Sequence, residues 1–285
     1  MPATLPAKSP VMTKCTKRRR TRRWLFPLGP ALMMLSGPAV GAGDECPPAG
    51  GLPVIVDSIA GSDNLRLADG RILRLAGIAV PPAAAPDARL FLLRITKNAN
   101  IRLHPQGPSS DRYGRVLARL SVRSDGQDIW QDAGQDVWIE RALITAGLAL
   151  ATLTPGENGC FSALVASEAE ARRSRSGYWA VDGAMTIAPS RFDEVAAAAG
   201  RFAVYEGKIL RVAVRDYAIF LDFGEDWRRA LSIILLRRHR QAVEAVLGPM
   251  QNLAGKTVQI RGIVERGTAL RLRLTQPTQM RVIVE

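Results

Sequence analysis

Histidine, cysteine and lysine are scarce in this chain. Two histidines, His104 and His239, and three cysteines are spread through 285 residues. Neither histidine stands at ligand spacing from a cysteine, which argues against a zinc or other transition-metal site. Long apolar runs are missing too. The best candidate, Trp24 to Ser36, is interrupted by Pro27, Gly29 and Pro30, and it falls short of the about 20 apolar residues a membrane-spanning helix needs. Lysine numbers 6 against 33 arginines within a formal net charge of +13. Arginine excess is also what coding composition produces, so charge alone does not assign a nucleic-acid partner.

What the chain does have begins with the layout of an export signal. Lys14, Lys17, Arg18, Arg19, Arg20, Arg22 and Arg23 precede the apolar run, and Val40-Gly41-Ala42 supplies small residues for cleavage. Residues 1–42 read as a signal peptide, with Met12 an alternative start and Thr21-Arg22-Arg23-Trp24-Leu25 leaving twin-arginine export open beside the general route. The implied location is periplasmic or secreted, with no stable membrane span once the leader is removed. An uncleaved leader, acting as a membrane anchor, is the alternative. The leader holds 8 basic residues and no acids, so a chain from Gly43 carries +5. Residues 43–199 hold 16 basic and 18 acidic side chains and residues 200–285 hold 15 and 8, which concentrates the positive excess in the tail. Cys15 leaves with the leader. Cys46 and Cys160 remain as an even pair in an exported chain, read either as one disulfide or as two buried thiols.

Leu52 to Ser58, Leu65 to Ala68 and Ile72 to Val80 are short β-branched and apolar runs separated by tight-turn residues, the pattern of a three-strand meander. A helix follows over residues 83–97, begun near Pro86 and Asp87, then strands over Asn100 to Pro105 and Val116 to Val122. Helices are predicted for Val137 to Ala146 and Phe161 to Ser174. Gly126-Gln127-Asp128-Ile129-Trp130 recurs as Gly134-Gln135-Asp136-Val137-Trp138, either a lengthened surface hairpin or a lip over a cleft. Residues 181–200 read as a linker with a short helix. Beyond it the order repeats: strands at Phe202 to Val214, Tyr217 to Phe223 and Leu231 to Leu236, a helix at Arg237 to Leu247, and strands at Lys256 to Glu265 and Leu270 to Leu274. The fold class is therefore mainly β with α: an OB-like barrel with added helices over 52–180 and a second, smaller OB-like barrel over 201–285. Tyr217, Ile219, Leu221 and Phe223 share one strand face and are expected to fill the second core, although Tyr217, Phe223 and Trp227 could instead stack bases. Arg237-Arg238-His239-Arg240 reads equally as a phosphate contact and as a solvated helix start.

Five motifs in order identify the first barrel. They are Asp63-Asn64-Leu65-Arg66-Leu67-Ala68-Asp69-Gly70, Arg74-Leu75-Ala76-Gly77-Ile78-Ala79-Val80-Pro81-Pro82, Asp111-Arg112-Tyr113-Gly114-Arg115-Val116-Leu117-Ala118, Ala142-Leu143 to Gly147-Leu148-Ala149, and Glu168 to Arg173 with Gly177-Tyr178-Trp179. Together they resemble the thermonuclease (staphylococcal-nuclease-like) family over about residues 52–180. The tail, with Phe220 to Trp227 and Val258 to Gly262, more weakly resembles the closing segment of exported bacterial members.

The resemblance implies a calcium-dependent phosphodiester hydrolase in which Arg74 and Arg115 clamp the phosphate and Asp63 binds metal. The family's other metal-binding Asp falls on Ala79 and its Glu on Pro82, and Gly61 stands where the family has a further acid. A hard cation wants several oxygen ligands with at least two carboxylates, and proline has no group that titrates. The expectation is a degenerate site that binds calcium weakly or not at all. The implied role is binding of nucleic acid or another phosphate-bearing polymer, or of a protein. Two alternatives stay open: a working nuclease that recruits a substitute acid such as Asp57 or Asp87, and an envelope protein-interaction module. For each arginine an ordinary structural role stands beside the clamp: Arg74 pairing with a surface acid, Arg115 pairing with Asp111 to shape the turn.

Overall fold

Cys46 and residues 50–106, 110–123, 136–153 and 158–283 are described by a computed structural model. The leader and the first copy of the short repeat lie outside the described residues.

Alternating burial builds the first barrel. In β1 (Leu52–Val54), β2 (Val56–Ile59), β3 (Asn64–Leu67) and β4 (Ile72–Leu75), the residues Ile59, Leu65, Leu67, Leu73 and Leu75 point into one core. The predicted first strand breaks at Ile55 into two halves at opposite edges of the sheet, in the order β1-β6-β7-β4-β3-β2. A single bent strand thus closes the barrel by pairing at both edges, which removes exposed edges without extra chain. The predicted strand over Ile72 to Val80 is likewise divided. Gly77 turns with φ +76°, and β5 (Ile78–Ala79) leaves the barrel to pair with β9 (Leu150–Ala151).

Helix α1 (Ala85–Thr96) connects to β6 (Ile101–Pro105) and β7 (Val116–Arg123), and β7 lies parallel to β4. The helix predicted from Val137 begins two residues later. Val137 and Trp138 form β8 (Asp136–Trp138), paired in register with Val122 and Ser121, and α2 runs Ile139–Thr145. Apolar spacing alone reads the same in a helix start and in a short edge strand, and here the free edge of β7 captures it.

Cys46 and Cys160 form a disulfide, with Cα atoms 5.3 Å apart, tying the start of the described chain to α3 (Asn158–Arg173). Behind α3, two motif glycines meet. A Cβ on Gly147 would lie 2.0 Å from the Ser176 carbonyl oxygen, and one on Gly177 2.3 Å from that of Ala146. Both also have positive φ, so glycine is required on two counts.

Residues 181–200 lie along the second barrel. Ile187 bridges to Tyr205, and α4 (Phe192–Ala198) seats Val195 in the second core. The barrel consists of β10 (Phe202–Lys208), β11 (Arg211–Val214), β12 (Ala218–Asp222), β13 (Leu231–Leu236), α5 (Arg237–Leu247), β14 (Thr257–Arg266) and β15 (Leu270–Leu274), with β16 (Met280–Val282) added on β14. Its order, β10-β14-β15-β13-β12-β11, repeats that of the first, including the parallel pair β13 and β15. The chain is therefore an OB-fold barrel with helices followed by a second OB-like barrel. Ile219, Leu221 and Phe223 fill the second core as expected, but Tyr217 does not: it precedes β12, is 65% exposed, and touches Phe220 edge-on. A residue just before a strand lies outside the alternation that places residues within it.

A charged clasp joins α3 to the second barrel. Arg261 donates to Glu168 at 2.8 and 3.2 Å and to the Ala151 carbonyl at 3.0 Å, and both ionic side chains are no more than 4% exposed. Arg172 grips Glu206 with both terminal nitrogens, at 2.5 and 2.8 Å. Beside these pairs, Leu150, Met185 and Val204 form a small apolar cluster. Among the described residues no helix is long and apolar enough to cross a membrane.

Candidate functional site

The turn between β2 and β3, the end of β4 and the turn entering β7 converge at one end of the first barrel. Antiparallel register sets Asn64 opposite Arg74, and the parallel register of β4 with β7 sets Arg74 opposite Leu117, two residues from Arg115. Asp63 and Arg115, widely spaced in sequence, are thus linked through Asn64, and Arg74 joins them by way of Asp63. Asn64 Nδ2 donates to Asp63 Oδ1 at 2.6 Å, and Arg115 Nη1 donates to Asn64 Oδ1 at 3.3 Å. Arg74 Nε reaches Asp63 Oδ2 at 3.4 Å, a long contact, with the Arg74 side chain 39% exposed.

Arg115 is held more firmly. Its Nε and Nη2 donate to Asp111 Oδ2 at 2.9 and 2.7 Å, while Asp111 Oδ1 accepts from the backbone nitrogens of Tyr113 and Arg115 at 2.8 and 3.0 Å. Gly114, at φ +73°, lets the turn close. The Arg115 guanidinium beside Asp111 holds that carboxyl down at about 2, so it is ionised throughout the neutral range. Both structural pairings anticipated from sequence are present, and the Arg74 side chain stays 39% exposed and that of Arg115 24%. Tyr113, exposed, packs its ring 5.1 Å from the Arg115 guanidinium carbon and 4.8 Å from that of Arg112.

The donor set does not fit a calcium ion. Asp63 has one oxygen on Asn64 and the other on Arg74. Ala79 lies in β5 with a methyl side chain, and Pro82 opens a single turn of 3-10 helix before α1. The two candidate substitute acids are occupied elsewhere: Asp57 accepts from Ser58 at 3.1 Å, and Asp87 accepts from the Tyr178 hydroxyl at 3.0 Å. Among the described residues no three metal-ligating side chains are grouped to hold an ion. One carboxylate, already bonded twice, is too few oxygen ligands for a hard divalent cation.

Sequence reasoning missed Asn64 as the bridge, Tyr113 as an exposed ring, and every member of the clasp. Val258-Gln259-Ile260-Arg261 alternates apolar and polar side chains, yet all four are buried, as happens when the outer face of a strand is also covered. Glu140 was missed as well. It is fully buried, both carboxylate oxygens accept from the Leu120 nitrogen at 3.1 and 3.3 Å, and burial pushes its pKa up to about 8.

Residues 73–181 match the family model described as staphylococcal nuclease homologue. The match includes Arg74, Ala79, Pro82 and Arg115 and begins after Asp63. No curated protein matches the chain.

Proposed function

We propose that this chain, which carries a staphylococcal-nuclease-like domain over residues 73–181, is an exported protein that binds a phosphate-bearing polymer without calcium-dependent hydrolysis. Single-stranded nucleic acid is the partner that fits best. One observation carries the reading: a run of contacts from Arg74 through Asp63 and Asn64 to Arg115 gathers both arginines at the barrel's end, in a site that lacks the acids needed to hold a cation and activate water.

Each guanidinium is suited to grip. Arg74 is held by a single 3.4 Å contact, so an arriving phosphate replaces a weak interaction with a charge-assisted, forked one. Arg115 is oriented by Asp111 and gives up only its 3.3 Å bond to Asn64. The exposed Tyr113 ring beside Arg115 offers a stacking surface for a neighbouring base, an interaction worth about 1–3 kcal/mol. Hydrolysis lacks a proton acceptor in the loop from Ala79 to Pro82, and the loss of such a group alone lowers rates by about 10²–10⁴.

Binding of a labelled single-stranded oligonucleotide, followed by anisotropy in chelator across a salt series, tests this. Affinity is expected to persist without calcium and to fall steeply with salt. Replacing Arg74 and Arg115 together with Ala should flatten the log–log slope by about 1.4, two contacts at about 0.7 each. Unchanged binding by the folded double variant moves the site elsewhere. Calcium-dependent cleavage that Arg74→Ala abolishes would overturn the absence of hydrolysis.

A further inference from the structure

A groove of about 420 Å³ lies between α3 and the second barrel, and neither Arg74 nor Arg115 lines it. Its walls are mostly apolar. Phe161, Val165 and Ala169 line it from α3, Val246 and Leu247 from the end of α5, and Arg281 on β16 from the floor. Val246 is among the most exposed large apolar side chains of the described residues.

The clasp beneath this groove is unbalanced in charge. Arg172, Arg261 and Arg281 act on one another's electrostatics together with two carboxylates, Glu168 and Glu206. Arg172 takes Glu206 and Arg261 takes Glu168, each through two nitrogens. Arg281 is left over. Among the described residues its Nε is buried with no hydrogen-bond partner, and burial acts against its charged form while Glu168 and Glu206, each already paired, support it. A guanidinium does not give up its proton in a protein, so among the described residues this cluster sets three guanidinium groups against two carboxylates, leaving one positive charge in excess at the edge of an apolar trough. That is costly unless an anion joins it.

We propose that this groove is a binding site for a small amphipathic anion, an acid head group on an apolar body, with the head on Arg281 and the body along α3. The polar wall groups favour a hydrocarbon body over a peptide. Gln259 commits its amide to Glu206 and Arg261, and Gln279 commits its own to Thr275, Gln276 and Arg273, so peptide groups laid along them would go unpaired. The volume lies within the range of small-molecule sites, about 300–1,000 Å³.

Calorimetric titration of the full chain with dodecanoate below its micelle concentration, paired with dodecyltrimethylammonium, tests the site. Dodecanoate should bind one to one and raise the melting temperature, and the cationic amphiphile should do neither. Arg281→Gln should weaken dodecanoate by at least about tenfold, the equivalent of losing a charged hydrogen bond. Val246→Asp, at an exposed position that does not threaten folding, should weaken it comparably, whereas the Arg74→Ala, Arg115→Ala double variant should bind it as before. Equal binding of both amphiphiles, no binding, or indifference to Arg281→Gln and Val246→Asp overturns the proposal. Displacement of dodecanoate by an apolar peptide with a free C-terminal carboxylate, but not by its amide, would reassign the occupant to a protein terminus.

Discussion

The two barrels share a frame and differ at the same end. In each, a bent first strand closes the sheet at both edges, the third and fifth strands run parallel, and a helix joins the third to the fourth. Even the bond that fixes the candidate site's turn is repeated: the Leu75 nitrogen donates to the Asp63 carbonyl at 2.9 Å, and the Arg237 nitrogen to the Tyr217 carbonyl at 3.0 Å. Asn64 faces Arg74 in one barrel, and Ala218 faces Leu236 in the other. Apolar alternation and backbone pairing maintain the frame in both. The turn and strand-end side chains are therefore free to change, and the chemistry resides in them. A fold built this way accommodates Ala79 and Pro82 beside its first barrel as readily as it accommodates Tyr217 in the place of Asp63.

The sharpest way to separate the barrels is through their cross-links. The first contains the Cys46–Cys160 disulfide, and the second, residues 200–285, has no cysteine. With a separation of 114 residues, reduction should cost up to about 4–5 kcal/mol by loop-closure entropy, less where strain or residual structure intervenes. Urea unfolding with and without reductant should show the transition of the first barrel moving to lower denaturant. An unmoved transition would break the contrast. Next comes the clasp. Arg261→Met leaves Glu168 buried without its partner and should destabilise the chain by about 3–5 kcal/mol, with most of the loss recovered in Arg261→Met combined with Glu168→Leu. Calorimetry should then reveal whether the barrels melt together. Separate melting in the single variant alone would assign their coupling to this pair.

The smallest effect per step concerns Glu140 of the first barrel. Its folded pKa of about 8 lies above the ordinary 4.5, so the folded chain keeps a proton that the unfolded chain releases. This contribution is complete below about pH 4.5, declines as pH rises through the window up to about 8, and is level beyond it. The slope is at most about 1.4 kcal/mol per pH unit. Glu140→Gln should remove that part of the pH dependence, measured as urea midpoints between pH 5 and 8. A slope identical to that of the parent would show that Glu140 is ionised in the folded state.

The barrels were legible because period-two alternation and tight turns are local signals. Leu231 to Leu236, Arg237 to Leu247 and Leu270 to Leu274 match the observed elements end to end. The Cys46–Cys160 pair and the convergence of Asp63, Arg74 and Arg115 were also readable, the first from parity and the second from motif order. What could not be read depends on contacts between distant segments. Val137 and Trp138 become a strand only because β7 has a free edge. β16 exists only because β14 does. Arg261, Glu168 and Arg172 look like ordinary surface charges until the second barrel is laid against α3.

The disulfide has one more consequence, for fragmentation. Cys46 and Cys160 make the first barrel a covalent ring from which the second barrel extends as a tail. A protease that cuts once anywhere between those two residues opens the ring without releasing a piece, so the nicked chain keeps its mass on a non-reducing gel and separates only when thiol is added. A cut beyond Cys160 frees a fragment at once. Proteolysis therefore yields two quite different populations, one scarred but whole and one truncated, and only the second loses the arginines of the tail.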